Sequence, residues 1–459
     1  EFSYLIYLYR VACGYVYSCV ACAYSSGIMN YTYKQIWLIN FPVMMSMLME
    51  QLINITDAIF LGHVGEVELG ASALASVYYL AIYMLGFGFS LGLQVMIARR
   101  NGEQRYKETG KTFFQGLFFL SGLAVFLSFT SYVLSPVILK FFIHSPEIYK
   151  TVVDYLEWRC FGLLFSFPFL AFRAFFVGIT KTRVLSWAAT LAVLINIPCN
   201  YLFIFSFNWG ISGAAIASLL AEASSLLILV IYVFLQMNKE NWGLRLVYDG
   251  KLLKSLFHLS VWSMMHAFIS VIPWFLFFVA IARLGEVQLA VSNIIRSIST
   301  VFFVIVNSFA ATTGSLVSNL IGAGEGKSMF RLCGKILRLG YAVGFPLIII
   351  ALLLNKQVVG FYTDNPALIE FAYYPFIVML LNYTFALPGY VFMHAVTGTG
   401  NTRIAFIFQI STIAFYLVYL YLLSYSFIAT LPVYLMAEYL FVILLGVQSY
   451  IYLKMKQHR

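Results

Sequence analysis

Long stretches of the chain contain no Asp, Glu, Lys or Arg, among them residues 69–98, 112–139, 184–221, 371–402 and 404–437. About 20 apolar residues in a helix cross a bilayer, and a helix satisfies its own backbone hydrogen bonds there. The longer stretches therefore have room for one helix and a turn, or for two helices. Charged residues make up 10% of the 459 residues, whereas soluble domains contain about 25%. We predict an all-α integral membrane protein.

The chain contains two copies of a domain-sized unit, offset by 220 residues. The segment LGHVGEVELGAS at residues 61–72 recurs as IARLGEVQLAVS at residues 281–292, and the same offset carries Gly102 to Gly322. We predict twelve membrane spans, starting near residues 36, 69, 112, 153, 184, 211, 253, 290, 332, 368, 402 and 428. Because six spans per copy is an even number, the two copies have parallel orientations in the membrane. The predicted fold is two six-helix lobes related by this parallel repeat.

One polar segment between the copies sets the predicted domain boundaries. The segment MNKENWGLRLVYDGK is the most polar one inside the chain, and we predict a cytoplasmic linker over residues 237–252. The amino-terminal lobe then covers residues 29–236 and the carboxy-terminal lobe residues 253–459. Residues 1–28 precede the first methionine and lack the basic start and clear cleavage site of a signal peptide. We interpret them as an upstream segment, with an interfacial helix as the alternative.

The net charge of +10 follows membrane topology rather than a nucleic-acid partner. If the first span enters from the cytoplasm, twenty basic residues fall on the cytoplasmic side. The opposite side holds Lys140, Lys150, Arg159, Arg283 and Lys356. This asymmetry is the positive-inside pattern, and it predicts a multi-pass protein of the cytoplasmic (inner) membrane with both termini in the cytoplasm. No soluble face with interleaved basic and aromatic residues is predicted, so we expect no nucleic-acid partner.

The first span carries a stripe of polar residues that requires an explanation. Glu50, Asn54 and Asp57 are spaced i, i+4 and i+7, so they lie on one helical face. A charge at the centre of a spanning helix costs on the order of 2.5–3.5 kcal/mol, which implies a specific role. The role is either structural hydrogen bonding or the binding of a proton or cation.

The fifth and sixth spans offer partners for that stripe. Asn196 and Asn200 lie one turn apart around Pro198, and Ser218 adds a hydroxyl. Oxygen ligands of this kind suit a hard cation such as sodium. Small polar residues also pack membrane helices together, so this set alone leaves both interpretations open.

The repeat provides an internal control on these residues. At an offset of 220, Asp57 becomes Phe277, Asn196 becomes Tyr416 and Asn200 becomes Leu420. The second copy keeps the shared glycines and prolines but loses the carboxylate and both amides. The bundle fold therefore does not need these groups, which favours a functional role.

Other charged residues in the spans are weaker candidates. Glu438 occupies the position equivalent to Ser218 and could form a second-lobe site with His394. Glu222 is interpreted as a hydrogen-bonding residue between helices. Arg173 and Arg296 are expected to pair with carboxylates or carbonyl groups inside the bundles.

Three motifs together resemble the multidrug and toxic compound extrusion (MATE) transporters, from about residue 34 to residue 456. They are the first-span pattern Pro42, Gln51, Asp57, Gly62 and Gly65, the run SNLIGAGEGK at 318–327, and the Asn196–Asn200 pair followed by GISGAAIAS at 210–218. The resemblance implies a monomeric twelve-helix antiporter in contact with membrane lipid. It would export small cationic or amphipathic compounds in exchange for H⁺ or Na⁺, by alternating access and without a cofactor.

The resemblance also implies roles for particular residues. Asp57 is similar to the coupling carboxylate of the family, and Asn196, Asn200 and Ser218 to the residues that accompany it. Pro42 is similar to the proline at which the first helix bends. Some relatives carry a carboxylate early in the seventh span, whereas residues 258–273 have none. The chain is therefore more similar to the branch that couples through the amino-terminal lobe.

Two other functions are weighed against antiport. A flippase for a lipid or lipid-linked saccharide of the same broad superfamily would need a cationic cavity, for which Arg173 and Arg296 are the candidates. A membrane-embedded enzyme would need a nucleophile, a base or a metal cluster, and the sequence contains neither HExxH nor GxSxG. Cys19 and Cys22 form a lone CxxC, which is a weak metal signal without a second pair. We expect no enzyme activity and no bound metal.

Overall fold

The computed structural model describes residues 31–143, 145–363, 365–424 and 430–457, so the predicted leader at 1–28 lies outside it. Within the described residues, twelve helices are long and apolar enough to cross a membrane, and we label them α1 to α12. Their bounds are Tyr33–Val64, Glu66–Gly102, Tyr106–Phe141, Pro146–Gly178, Arg183–Ser206, Gly210–Gln236, Gly250–Ile281, Val287–Gly322, Gly326–Leu353, Tyr373–Gly398, Thr402–Ser424 and Leu431–Gln457. The prediction of an all-α fold with twelve spans is confirmed.

Local sequence explains where several helices begin and how they are interrupted. Thr32 and Gln35 form a capping box at the start of α1, which satisfies two backbone N–H groups that the helix leaves unpaired. The Asp249 carboxylate caps α7 by accepting from the N–H groups of Lys251 and Leu252. A single 3-10 turn, Cys160–Gly162, interrupts α4. Two short helices, Asn355–Gly360 and Pro366–Phe371, connect α9 to α10.

The two copies repeat each other in three dimensions as well as in sequence. The helices Glu66–Gly102 and Glu286–Gly322 both have 37 residues and both follow a glycine. Thr182 Oγ1 donates to the Ile39 carbonyl at 2.8 Å, and 220 residues later Thr402 Oγ1 donates to the Leu259 carbonyl at 2.7 Å. Equivalent residues thus make equivalent bonds between the first and fifth helices of each copy.

The first helix of each copy reaches across to the other lobe. Ile36, Ile39 and Met44 at the start of α1 pack in the core that the carboxy-terminal helices form. Leu256 at the start of α7 packs in the core of the amino-terminal helices. The predicted linker at 237–252 lies against the amino-terminal lobe, where Gln115 Nε2 donates to the Val247 carbonyl. Since α7 begins at Gly250, the last residues of that linker are already helical.

The two lobes meet closely where α2 and α8 end. Asn101 Nδ2 donates to Asn319 Oδ1 at 2.7 Å, and Ser318 Oγ donates to the Val95 carbonyl at 2.7 Å. Arg99 Nη2 donates to the Thr399 carbonyl at 2.8 Å. These bonds seal one end of the space between the lobes.

Candidate functional site

A cavity of about 1100 Å³ lies between the two lobes. Its walls come from both copies and extend from Leu91 and Ala311, near the sealed end, to Glu66 and Leu69 at the start of α2. Cavities of this size are typical of sites for organic molecules. The cavity therefore lies beyond the seal and continues towards the opposite end of the bundle.

Asp57 forms part of the cavity wall, and three neutral side chains hold its carboxylate. Asn196 Nδ2 and Asn200 Nδ2 donate to Oδ1 at 3.1 Å and 2.6 Å. Ser218 Oγ donates to Oδ2 at 2.5 Å. These four residues come from α1, α5 and α6, so the structure brings together the whole set that the sequence suggested for cation coupling.

The spacing on α5 explains why two amides reach one carboxylate. Asn196 and Asn200 are separated by four residues, so they lie one above the other on the same face of the helix. Asn200 Nδ2 also lies 3.1 Å from Asn196 Oδ1, and Thr56 Oγ1 donates to that same oxygen at 3.2 Å. Asn200 Oδ1 is buried and has no hydrogen-bond partner among the described residues. The network thus ends on an unpaired amide oxygen, in a side chain whose Nδ2 faces Asp57.

Three arginines on the cavity wall each lie near a glutamate. Arg159 Nη2 contacts Glu222 Oε1 at 2.7 Å, and Arg173 Nη1 lies 3.6 Å from Glu50 Oε1. Arg296 Nη1 lies 4.0 Å from Glu438 Oε1. The ion pairs found in the described part of the chain leave out Asp57. Asp57 is therefore a membrane carboxylate whose partners are neutral donors.

The remaining predicted candidates also border the cavity. Glu50, Asn54, His394 and Glu438 all line it. Glu50 lies opposite Arg173, as described above. Glu438 accepts a hydrogen bond from the Tyr416 hydroxyl at 3.4 Å and lies near Arg296, so its recorded partners differ from the His394 contact that we considered.

Pro42 is buried inside α1, and the helix continues through it. Beside it, Asn40 Oδ1 accepts a hydrogen bond from Thr312 Oγ1 of α8 at 3.0 Å. The proline therefore lies where the first helix contacts the other lobe, while its predicted bending stays a prediction.

Sequence reasoning missed the pair of Arg159 and Glu222. We expected Arg159 in a connection outside the membrane and Glu222 at a helix interface. Glu222 does form a hydrogen bond between helices α6 and α4, as expected, but its partner is Arg159, which lines the cavity with it and lies 4.0 Å from the centre of the Tyr79 ring. The available signal was that each is a charged residue beside a long uncharged stretch, which favours a partner inside the protein.

The second copy has a different set of groups at the equivalent place. Phe277 and Tyr416 are fully buried, and Leu420 is buried as well. The guanidinium of Arg296 lies over the rings of Trp274, Phe277 and Phe278, with its carbon 4.2, 5.0 and 4.9 Å from the ring centres. The carboxy-terminal lobe therefore places an arginine and a glutamate, Arg296 and Glu438, where the amino-terminal lobe places Asp57 with neutral donors.

Among the described residues, no three His, Cys, Asp or Glu side chains come together in a way that could hold a metal ion. Cys19 and Cys22 of the lone CxxC lie outside the described residues.

Comparisons with known proteins bear on the whole architecture. The chain is 24% identical over 390 residues to multidrug and toxin extrusion protein 1 of Pongo abelii, covering 82% of this chain and 66% of the relative. It is 24% identical over 298 residues to the probable multidrug resistance protein NorM of Photorhabdus laumondii, covering 63% of this chain and 65% of that protein. The chain thus spans about two thirds of the length of these relatives.

The fold has a close counterpart among solved structures. An outward-facing multidrug resistance MATE family transporter of the MOP superfamily superposes with a TM-score of 0.85, at 17% identity over 93% of this chain and 96% of the other. The model of the MatE family matches residues 42–202 and 263–446, which include most of both copies and the residues around Asp57. This chain belongs to the MatE family, and it is a multi-pass membrane protein.

Proposed function

We propose that this protein is a secondary active antiporter, not an enzyme, and that it exports small cationic or amphipathic compounds in exchange for H⁺ or Na⁺. The observation that carries the proposal is Asp57, a carboxylate on the cavity wall that neutral donors hold. An ion pair with an arginine would neutralise its charge permanently. With neutral partners, an exchangeable cation can neutralise it instead.

The coupling then follows from competition within one cavity. A proton or Na⁺ at Asp57 removes a negative charge from the wall that attracts a cationic substrate. Thermodynamic reciprocity requires that the substrate weaken ion binding by the same factor. The two lobes alternate around the cavity, and Pro42 is the point at which α1 bends as Asp57 changes its state.

The donor set favours H⁺ as the coupling ion. Hard cations take oxygen ligands, whereas the groups around Asp57 present two N–H donors and one O–H donor to the carboxylate. Sodium would require several of these groups to rotate. A proton requires only one acceptor, and rotation of the single Asn200 amide would supply it, because Nδ2 now faces Asp57 and Oδ1 has no hydrogen-bond partner among the described residues.

The basic residues orient this state of the protein. The sealed end of the bundle lies at Arg99, Arg100 and Asn319, beside the basic connection between α2 and α3. Under the positive-inside rule this end faces the cytoplasm. The cavity is then open outwards, both termini are cytoplasmic, and the protein resides in the cytoplasmic (inner) membrane.

The cavity wall suits flat or amphipathic molecules. Tyr79, Tyr83 and Phe87 stack along α2, with neighbouring ring centres 6.4 and 6.5 Å apart, and all three line the cavity. Aromatic faces attract organic cations. We propose that such compounds and membrane lipid are the partners of a monomeric protein, without nucleic acid.

Lipid flipping is the less favoured function. A flippase for pyrophosphate-linked lipids needs cationic groups free to bind the headgroup. Although three arginines line this cavity, each lies opposite a glutamate. The wall as a whole therefore does not offer a cluster of unpaired positive charge.

Ethidium efflux from proteoliposomes tests the proposal. The protein should drive uphill efflux when an H⁺ gradient is imposed, and Asp57→Asn should abolish it because an amide cannot exchange a proton. Efflux driven only by a Na⁺ gradient would identify sodium as the coupling ion. Normal uphill efflux by Asp57→Asn would show that another group couples transport.

A matched control separates coupling from a general loss of charge. Asp154 lies on α4 in the same lobe, outside the set of residues that line the cavity. Asp154→Asn removes one carboxylate and should keep gradient-driven efflux. Intact insertion of both variants is checked by size-exclusion chromatography of the purified proteins.

A further inference from the structure

Arg296 is a buried cation with an incomplete set of partners. It is 6% exposed and borders the cavity, and its Nη1 atom has no hydrogen-bond partner among the described residues. The carboxylate of Glu438 lies 4.0 Å away, which is beyond hydrogen-bonding distance. A guanidinium carries five N–H donors, and burying them without acceptors is costly. The side chain therefore has unused capacity to bind an acceptor.

The surrounding rings hold this guanidinium in place. Trp274, Phe277 and Phe278 surround it at 4.2 to 5.0 Å from ring centre to guanidinium carbon. Such contacts attract a cation without using its N–H donors, which lie in the guanidinium plane. Arg296 is thus positioned before any ligand arrives, and binding does not have to order a flexible side chain.

The repeat shows that the fold does not require this charge. At an offset of 220, Arg296 corresponds to Ser76, and Glu438 corresponds to Ser218. The amino-terminal lobe forms the same helices with two serines at these positions. The arginine is therefore a feature of the second lobe's cavity wall and not of the bundle.

The two walls of the cavity differ in charge. The amino-terminal wall has four carboxylates, Glu50, Asp57, Glu66 and Glu222, and two arginines, Arg159 and Arg173. The carboxy-terminal wall has one carboxylate and one arginine, Glu438 and Arg296. A molecule that bridges the walls would meet excess negative charge on one side and an incompletely paired guanidinium on the other.

We propose that Arg296 binds a carboxylate group of the transported compound, so that the cavity takes zwitterions whose cationic end faces the amino-terminal wall. The carboxylate would accept hydrogen bonds from the edge of the guanidinium that borders the cavity, a pairing whose planar geometry suits arginine. The inference rests on the proposed role of the cavity as the substrate site, and it narrows the substrate class from cations to compounds that carry both charges.

The test uses two dyes that differ only at the carboxyl group. Rhodamine 110 has a free carboxylate, and rhodamine 123 is its methyl ester. Fluorescence anisotropy with the purified full chain should show that rhodamine 110 binds about tenfold more tightly, as expected for one charge-assisted hydrogen bond. In Arg296→Ser the preference should disappear. The double variant Arg296→Ser/Glu438→Ser should also lose the preference for rhodamine 110. It removes the glutamate that Arg296→Ser leaves unpaired, so it serves as the test if the single variant fails to fold.

Arg173→Met is the matched control. It also removes one cavity arginine, and methionine is the residue found 220 positions later. The ratio of the two affinities should stay as in the unmodified protein. Three outcomes would overturn the inference. The unmodified protein could bind both dyes equally or bind neither. The preference for rhodamine 110 could survive in Arg296→Ser/Glu438→Ser, or Arg173→Met could abolish it to the same extent.

Transport measured in parallel keeps the two proposals apart. If rhodamine 110 binds preferentially through Arg296 but neither an H⁺ nor a Na⁺ gradient drives its efflux, the antiport proposal fails and the binding site stands. If efflux of rhodamine 123 is gradient-driven and no dye preference exists, antiport stands and the carboxylate site fails.

Discussion

At the residue scale, the partners of each carboxylate decide what it can do. Glu222 contacts an arginine at 2.7 Å, and this pair is held by both charge and hydrogen bonding. Asp57 is held by two amides and a hydroxyl, which stabilise the ionised form without cancelling its charge. Two arginine–glutamate pairs lie on the amino-terminal cavity wall with Asp57 and a third lies on the carboxy-terminal wall, whereas the hydrogen-bond partners of Asp57 are neutral, so an exchangeable ion can neutralise its charge.

The strength of one donor to Asp57 can be tested with Asn200→Leu. Leucine is the residue that the second copy carries at the equivalent position 420, so the fold should tolerate it. The ionised carboxylate loses the 2.6 Å bond from Asn200 Nδ2, and a hydrogen bond to a charged group contributes about 1.5–3 kcal/mol. Gradient-driven ethidium efflux should fall about tenfold or more.

Cys199→Leu is the control for this change, because it alters the neighbouring side chain on α5 and leaves the contacts of Asp57 intact. Its efflux rate should match that of the unmodified protein. An unchanged rate in Asn200→Leu would mean that Asn200 contributes little to the state of Asp57.

At the element scale, two glycines allow α2 and α8 to meet at the sealed end. A Cβ atom on Gly102 would lie 2.1 Å from the Asn319 carbonyl oxygen, and one on Gly322 would lie 2.1 Å from the Arg99 carbonyl oxygen. The two contacts are equivalent under the repeat, since Asn319 follows Arg99 by 220 residues. Glycine is required here by close approach of two backbones.

Valine at Gly102 should therefore open the sealed end. Overpacking costs about 1–3 kcal/mol, so the lobes should separate there about tenfold more often. A cysteine introduced at Ser318, which lies buried between the lobes, reports this in a background without the native cysteines. Its alkylation by a membrane-impermeant maleimide should be faster in Gly102→Val, and likewise in Gly322→Val.

Gly122 on α3 offers the comparison, because a Cβ atom there would have no neighbour within 4 Å. Gly122→Val should leave the alkylation rate unchanged. A similar rate in all variants would mean that the glycine contact does not keep this end closed.

At the scale of the whole molecule, two copies of one fold carry different chemistry. Equivalent threonines bond to equivalent carbonyls in both lobes, while Asp57 is replaced by Phe277 and Ser76 by Arg296. The shared residues maintain the bundle, and of the differing ones Asp57, Ser76 and Arg296 line the cavity while Phe277 is buried in the core. The asymmetry of the walls therefore arises within a nearly symmetric scaffold.

The orientation of the whole molecule is predicted by its basic residues. Phe361, which is 87% exposed between α9 and α10, should face outwards, and Lys239 between α6 and α7 should face the cytoplasm. In intact cells an impermeant maleimide should label Phe361→Cys but not Lys239→Cys. After permeabilisation both should react, and the reverse pattern in intact cells would invert the topology.

The number of spans could be predicted because the cost of burying charge in lipid is visible in local sequence. Boundaries were less exact: the span expected near residue 368 begins at Tyr373, because Pro366–Phe371 forms a separate short helix. Arg159 was assigned to an outer connection because it lies between two long uncharged stretches of the sequence. Its pairing with Glu222 could not be predicted, because 63 residues separate the two.

The sequence alone was sufficient to predict a membrane protein with twelve spans in two parallel copies, and to identify Asp57 as an acid without a counterpart in the second copy. These properties depend on hydropathy and on comparison along one chain. The packed helices were needed to show that Glu222, Glu50 and Glu438 lie opposite arginines while Asp57 does not, and to show which end of the cavity is sealed. Such pairings depend on how distant helices rotate and pack against one another, and local sequence carries no record of that geometry.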